Sequence, residues 1–240
     1  MDERKLFSVL LCFAALGTFT TNADNFILNS GDSPPRSTID AGGFEDKILI
    51  EAFARLGHTI DIVHLPAERS LLLVNEGLID GDFTRIKGLE SRYPQLLMVP
   101  NSFTTMDFVA FSSITMAPLS SWEELKNLRI GYITGWKYIE DKLRGFPFIT
   151  QLRDEKALFD VLLAGRIDTA IFDRVDGLYI LEERRLGRSF VAGPVIEKMP
   201  MYLYMNKKHQ DLATNLAEKL QNMHDEGLIR RLTNDSTVMP

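Results

Sequence analysis

The sequence predicts an α/β protein, and three observations carry that reading. Over the first third, strand-like and helix-like patterns alternate as β-α-β-α-β. The middle third repeats the alternation. An internal echo links the two: residues 71–80 and 159–168 each end a helix at glycine and re-enter a strand at Ile-Asp, and an arginine follows at Arg85 and at Arg174. Shared helix–turn–strand grammar is one explanation of the echo. Two facing lobes of related architecture are the other.

The elements follow in order. Residues 26–29 read as a strand, and 30–43 as a loop rich in turn residues, with Pro34-Pro35 and Gly42-Gly43. Residues 45–56 form an amphipathic helix, with Ile48, Ala52, Phe53 and Leu56 on one face and Gly57 as its stop. A strand at 59–63, a helix at 67–76 and a strand at 79–84 complete the first third. Strands follow at 107–112, 128–133, 148–151 and 167–172. Helices are expected at 122–126, 136–144, 154–163 and 175–186, the first capped by Ser120 and Ser121. A last strand at 201–205 leads to a long helix at 210–223.

Composition narrows the function. The chain has 240 residues, 45% of them hydrophobic, enough to bury a core without disulfides. A formal net charge of −6 argues against a sequence-independent grip on nucleic acid. Residues 1–23 read as a secretory signal peptide. Arg4 and Lys5 precede an apolar run at 6–19, too short to span a bilayer comfortably, and Thr21-Asn22-Ala23 offers a cut before Asp24. A buried N-terminal helix or an uncleaved anchor is the alternative. The single cysteine, Cys12, lies inside the apolar run, where lipidation is disfavoured, so the mature chain would hold none. No metal-ligand spacing, P-loop, dinucleotide fingerprint or nucleophile elbow is present, so no cofactor or metal is expected.

Five segments resemble, in order and spacing, the periplasmic solute-binding proteins of ABC importers, in particular the amino-acid-binding (family 3, type II) group. They are Gly43-Phe44 with its helix; Pro66 and Arg69 through Gly77-Leu78-Ile79-Asp80-Gly81; Leu128-Arg129-Ile130-Gly131-Tyr132; residues 165–173; and residues 223–229. The resemblance implies a two-lobe type II fold, each lobe a mostly parallel sheet flanked by helices. Lobe one would comprise 24–110 and 202–240, and lobe two 111–201. Hinge crossings would lie near 111–113 and 199–201. It further implies a monomeric periplasmic protein that closes its lobes over a small polar, amino-acid-like solute, for a permease or a sensor. A lyase of the cyclohexadienyl-dehydratase kind on the same scaffold is the alternative, with Glu68, Asp82 or Asp173 as its acid or base.

Ligands of open α/β sheets sit beyond the carboxyl ends of strands. That rule singles out Arg85, Thr134 through Trp136, and Asp173. A guanidinium fork suits a carboxylate. The resembled family places its carboxylate arginine where Arg92 stands, but Arg85 at the strand end has at least as good a claim. Asp173 matches the family's acceptor for a ligand amine. Thr134 and Gly135 precede a helix start that favours an anion, Trp136 offers a stacking wall, and Arg69 stands where the family often keeps a basic residue. Arg36 occupies the place after Pro34-Pro35 where the family commonly has an aromatic.

Overall fold

The computed structural model describes residues 23–31 and 34–237. The expected signal segment up to Asn22, Cys12 included, lies outside the described residues. Among those described, no helix is long and apolar enough to cross a membrane.

The first half of the chain gives β1 (Asn25–Ser30), α1 (Phe44–Ala54), β2 (Thr59–His64), α2 (Ala67–Asn75), β3 (Gly81–Arg85) and β4 (Leu96–Met98). The second gives β5 (Thr104–Ser113), β6 (Ile130–Ile133), α3 (Lys137–Lys142), β7 (Ile149–Leu152), α4 (Glu155–Leu163), β8 (Thr169–Asp173), α5 (Arg174–Glu183), β9 (Phe190–Asn206), α6 (Gln210–Asp225) and α7 (Leu228–Thr237). The strands run in the order β2-β1-β3-β9-β5-β8-β6-β7, with β4 paired to the end of β9. Each outer portion is parallel: β1 pairs β2 and β3, and β6 pairs β7 and β8. The middle is antiparallel, because β5 and β9 run against each other and against β8 and β3. The α/β expectation therefore holds, on a curled mixed sheet.

Apolar cores flank that seam on both sides. The first gathers Leu28, Phe44, Ile48, Phe53, Phe83 and Phe103 with Leu216 and Leu220 of α6. The others lie under β5 to β8, around Phe108, Ile130 and Tyr132, and around Phe111, Phe159 and Phe172. Phe103 belongs to the first core and Phe108 to another, so the chain changes cores at the start of β5. Residues 111–113, expected as a crossing, sit instead at the far end of β5 and pair with Ala192, Val191 and Phe190.

Four elements depart from the expected pattern. β9 is 17 residues long rather than five, because its register shifts opposite Val109 let Pro194 sit in the ladder. The helix expected at 122–126 is a single 3₁₀ turn, Glu123–Leu125, capped back by Glu124 onto the Ser120 amide at 2.6 Å. β4 and α7 were not anticipated, β4 being too short to show alternation and α7 having a polar mean composition.

Candidate functional site

The loop between β1 and α1 builds the centre of the site. His64 packs against it, with its ring nitrogens 3.3 and 3.1 Å from the Ser30 and Thr38 carbonyls, one of which accepts the ring's N–H. Asp46 accepts from the Thr38 and Gly43 amides at 3.0 and 2.9 Å. The loop then lies across the N-terminus of α1, whose Phe44 and Glu45 amides donate to the Pro35 and Arg36 carbonyls. Position 43 must be glycine for this: a Cβ there would stand 2.1 Å from the Arg36 carbonyl oxygen.

This path delivers Arg36 to the seam between the halves, where it is 2% exposed. Its Nη1 donates to Glu45 Oε1 at 2.8 Å. Its Nη2 donates to Asp173 Oδ2 at 2.8 Å and to the Thr105 carbonyl at 3.3 Å. Its Nε lies 3.0 Å from Asp176 Oδ1. Burial alone would lower the guanidinium's pKa, but Asp176, Glu45 and Asp173 outweigh it and hold the charge. Glu45 also accepts from Thr104 at 2.6 Å and from Thr84. Thr84 reaches it with φ at +60°, an outlying conformation for a β-branched residue. The carboxyl end of β3, the N-termini of α1 and α5 and the start of β5 thus meet at one buried charged floor.

Asp173 is fully buried and caps α5, accepting from the Val175 and Asp176 amides at 2.9 and 3.1 Å. Its Oδ1 accepts from the Asp107 amide at 2.9 Å. The arginine beside it in sequence, Arg174, donates to the Gly193 carbonyl instead.

Arg85 follows Thr84 of this floor directly in sequence, at the end of β3 as expected. A register shift between Asp82 and Arg85 turns its guanidinium back along the strand. Its Nε and Nη2 lie 2.9 and 3.0 Å from the two oxygens of Asp82, and Nη2 is 3.2 Å from Ser70 Oγ. Asp82 is fully buried and also accepts from Ser70 at 2.5 Å and Asn29 at 3.4 Å. Burial pushes its pKa up, against the pull of Arg85. The Arg85 side chain remains 16% exposed.

The other expected residues fare differently. Arg92 is an exposed side chain paired at 2.7 Å with exposed Glu68, and Arg69 is exposed on α2. Trp136 stacks on Phe172 at 5.2 Å and tilts against Phe108, so much of its ring serves the second half's core. Thr134 is exposed, but the amides before α3 are engaged: Thr134 donates to Leu152, Gly135 to Glu140 and Trp136 to Ile133. The anion seat expected at that helix start is therefore filled from within. The sequence reading missed Arg36, Glu45 and Asp176. Its one signal was a cation directly after Pro34-Pro35.

A concavity of about 610 Å³ opens behind the floor, between the start of β5 and helices α6 and α7. Phe44, Phe103, Val175 and Leu220 line it, together with Arg36 and Thr104. Among the described residues no cluster of three metal-ligating side chains occurs.

These features define a two-lobe periplasmic-binding-protein type II fold. Solved structures with that fold superpose on nearly the whole chain. A histidine kinase sensor domain with similarity to periplasmic binding proteins matches with a TM-score of 0.73 and 18% identity, over 90% of this chain and 96% of its own. The ligand-binding core of GluR0, complexed with L-glutamate, reaches 0.78 at 12% identity, over 91% and 99%. An arginine transport-system periplasmic binding protein from Legionella pneumophila gives 0.72 at 14%, over 89% and 100%. By sequence, an uncharacterized protein of Shewanella oneidensis is 27% identical over 197 residues, covering 77% of this chain and 72% of that one. No protein-family model matches.

Proposed function

We propose that the chain is an extracytoplasmic, periplasmic solute-binding protein. It captures a small polar solute, of amino-acid size and bearing a carboxylate, between its lobes, for import or sensing. The observation that carries this is the convergence of strand and helix ends from both halves on one buried floor, with Arg85 beside it. A guanidinium that keeps some exposure at a strand's carboxyl end is the group best fitted to hold a carboxylate. The sensor domain and transport proteins that share the fold support the role.

Lobe one would be 24 to the start of β5, near 104, with about 202–240, and lobe two the residues between, so the expected boundary at 110 moves back to where the chain changes cores. The lobes would hinge where β5 and β9 pass between the cores, and close over the solute. A permease or a receptor would read the closed form.

The test is native mass spectrometry of the purified mature chain, which should release a co-purified small acid. That acid should then raise the melting temperature of the apo protein. Arg85→Lys keeps a cation beside Asp82 but loses the fork, and should bind weakly while folding normally. Wild-type affinity in that variant would remove Arg85 from the site. A lyase on the same scaffold makes a different demand, conversion of the bound acid to product.

A further inference from the structure

The floor holds three carboxylates, Glu45, Asp173 and Asp176, around one guanidinium supplied by the chain itself. Asp173 takes a hydrogen bond from Arg36 and three from backbone amides. Glu45 takes one from Arg36 and two from threonine hydroxyls. Both are fully buried, so an incoming cation would have to displace bonds already made. Beside them, Arg85 commits Nε and Nη2 to Asp82 and Ser70, and among the described residues no hydrogen bond uses its Nη1. The site thus offers a solute a cationic edge, while Glu45 and Asp173 are satisfied from within and Asp176 pairs with Arg36.

We infer that Arg36 determines specificity by occupying the place of a solute's cationic group, so that the site takes a carboxylate carrying no ammonium. This rests on the solute-binding reading and narrows it. An α-amino acid would bring its ammonium against a floor whose acceptors are filled and whose nearest cation is Arg36, and like charges brought together oppose binding. Remove the Arg36 side chain, and the floor becomes a guanidinium-shaped hollow edged by Glu45, Asp173, Asp176 and the Thr105 carbonyl.

Two measurements on the mature chain test this. In the first, wild-type melting temperature is followed against L-glutamate and glutarate, which share two carboxylates and differ by the amine. Glutarate should stabilise the protein, with an affinity about a hundredfold or more above that of L-glutamate. Equal stabilisation, or preference for L-glutamate, would overturn the inference while leaving the solute-binding reading intact. In the second, Arg36→Ala is titrated with millimolar methylguanidinium, which should raise its melting temperature and leave wild type unchanged. No rescue of a folded Arg36→Ala would overturn the filled-slot argument. Should that variant fail to fold alone, refolding in methylguanidinium replaces the titration, and recovery of native circular dichroism is the expected result. Silence from both dicarboxylates together with rescue would count against the solute-binding reading, yet support Arg36 as the slot's occupant.

Discussion

Arg36 and Asp173 meet at 2.8 Å although 137 residues separate them in the chain. One comes from the loop before α1 and the other from the cap of α5, so the pair ties the two halves together. Removing one member of a buried ion pair leaves the rest uncompensated, at about 3–5 kcal/mol. Arg36→Met should therefore lose stability of that order in urea unfolding. Combined with Asp173→Asn, the losses should fall well short of additive. Additive losses would mean the two side chains do not act as a unit.

Gly43 sets the position of that loop. In Gly43→Ala the new Cβ would lie 2.1 Å from a backbone oxygen rather than from a yielding side chain. Overpacking of this kind costs about 1–3 kcal/mol. Gly31, whose added Cβ meets no described residue within 4 Å, is the control. Gly31→Ala should stay within about 0.5 kcal/mol of wild type. Thermal melts of the two variants, run side by side, decide the matter.

The two arginines expected to hold a ligand should separate cleanly by stability. Arg92 and Glu68 are 62% and 72% exposed, so their pair is screened and worth about 0–1 kcal/mol. Arg92→Ala should unfold almost as wild type does. Arg85→Ala leaves Asp82 buried without its cation and should lose about 3–5 kcal/mol. Adding Asp82→Asn to Arg85→Ala should restore part of it. No restoration would show that Arg85 matters through packing alone.

Asp82 also makes a pH prediction. Burial lifts its folded pKa above the ordinary 3.8. A carboxyl of that kind holds its proton more tightly in the folded chain. The stability it contributes is complete below 3.8 and fades as pH climbs through the raised folded value. Asp82→Asn lacks that fading, so wild type should lose stability relative to the variant as pH rises from 3.8. Urea midpoints across that range should diverge, and parallel profiles would contradict the assignment.

Much of the fold was legible because β2, β3 and β8 each follow a helix and a turn punctuated by glycine, at Gly57, Gly77 and Gly165, all of which adopt positive φ. The seam was not legible. β9 carries Pro194 and Pro200, which read as strand breakers until a partner strand with shifted register accommodates them. Arg85 and Asp173 could be placed by the strand-end rule, since both close a strand. Arg36 could not. Its role depends on acids at Glu45, Asp173 and Asp176 that only tertiary contact brings to it, and apart from its place after Pro34-Pro35 nothing local distinguishes it from a solvated loop arginine. Trp136 shows the converse: it follows a strand end as expected, but its ring is largely spent on Phe172.

The length of β9 has a practical corollary. Its first residues pair with β5 beside Ser113, and its last pair with β3 and β4. Cleaving the chain once, anywhere between Phe190 and Asn206, would leave both fragments holding an unsatisfied edge. Neither half of this molecule can be cut away as an independent part, and any tilt of one half must be felt along the same ribbon by the other.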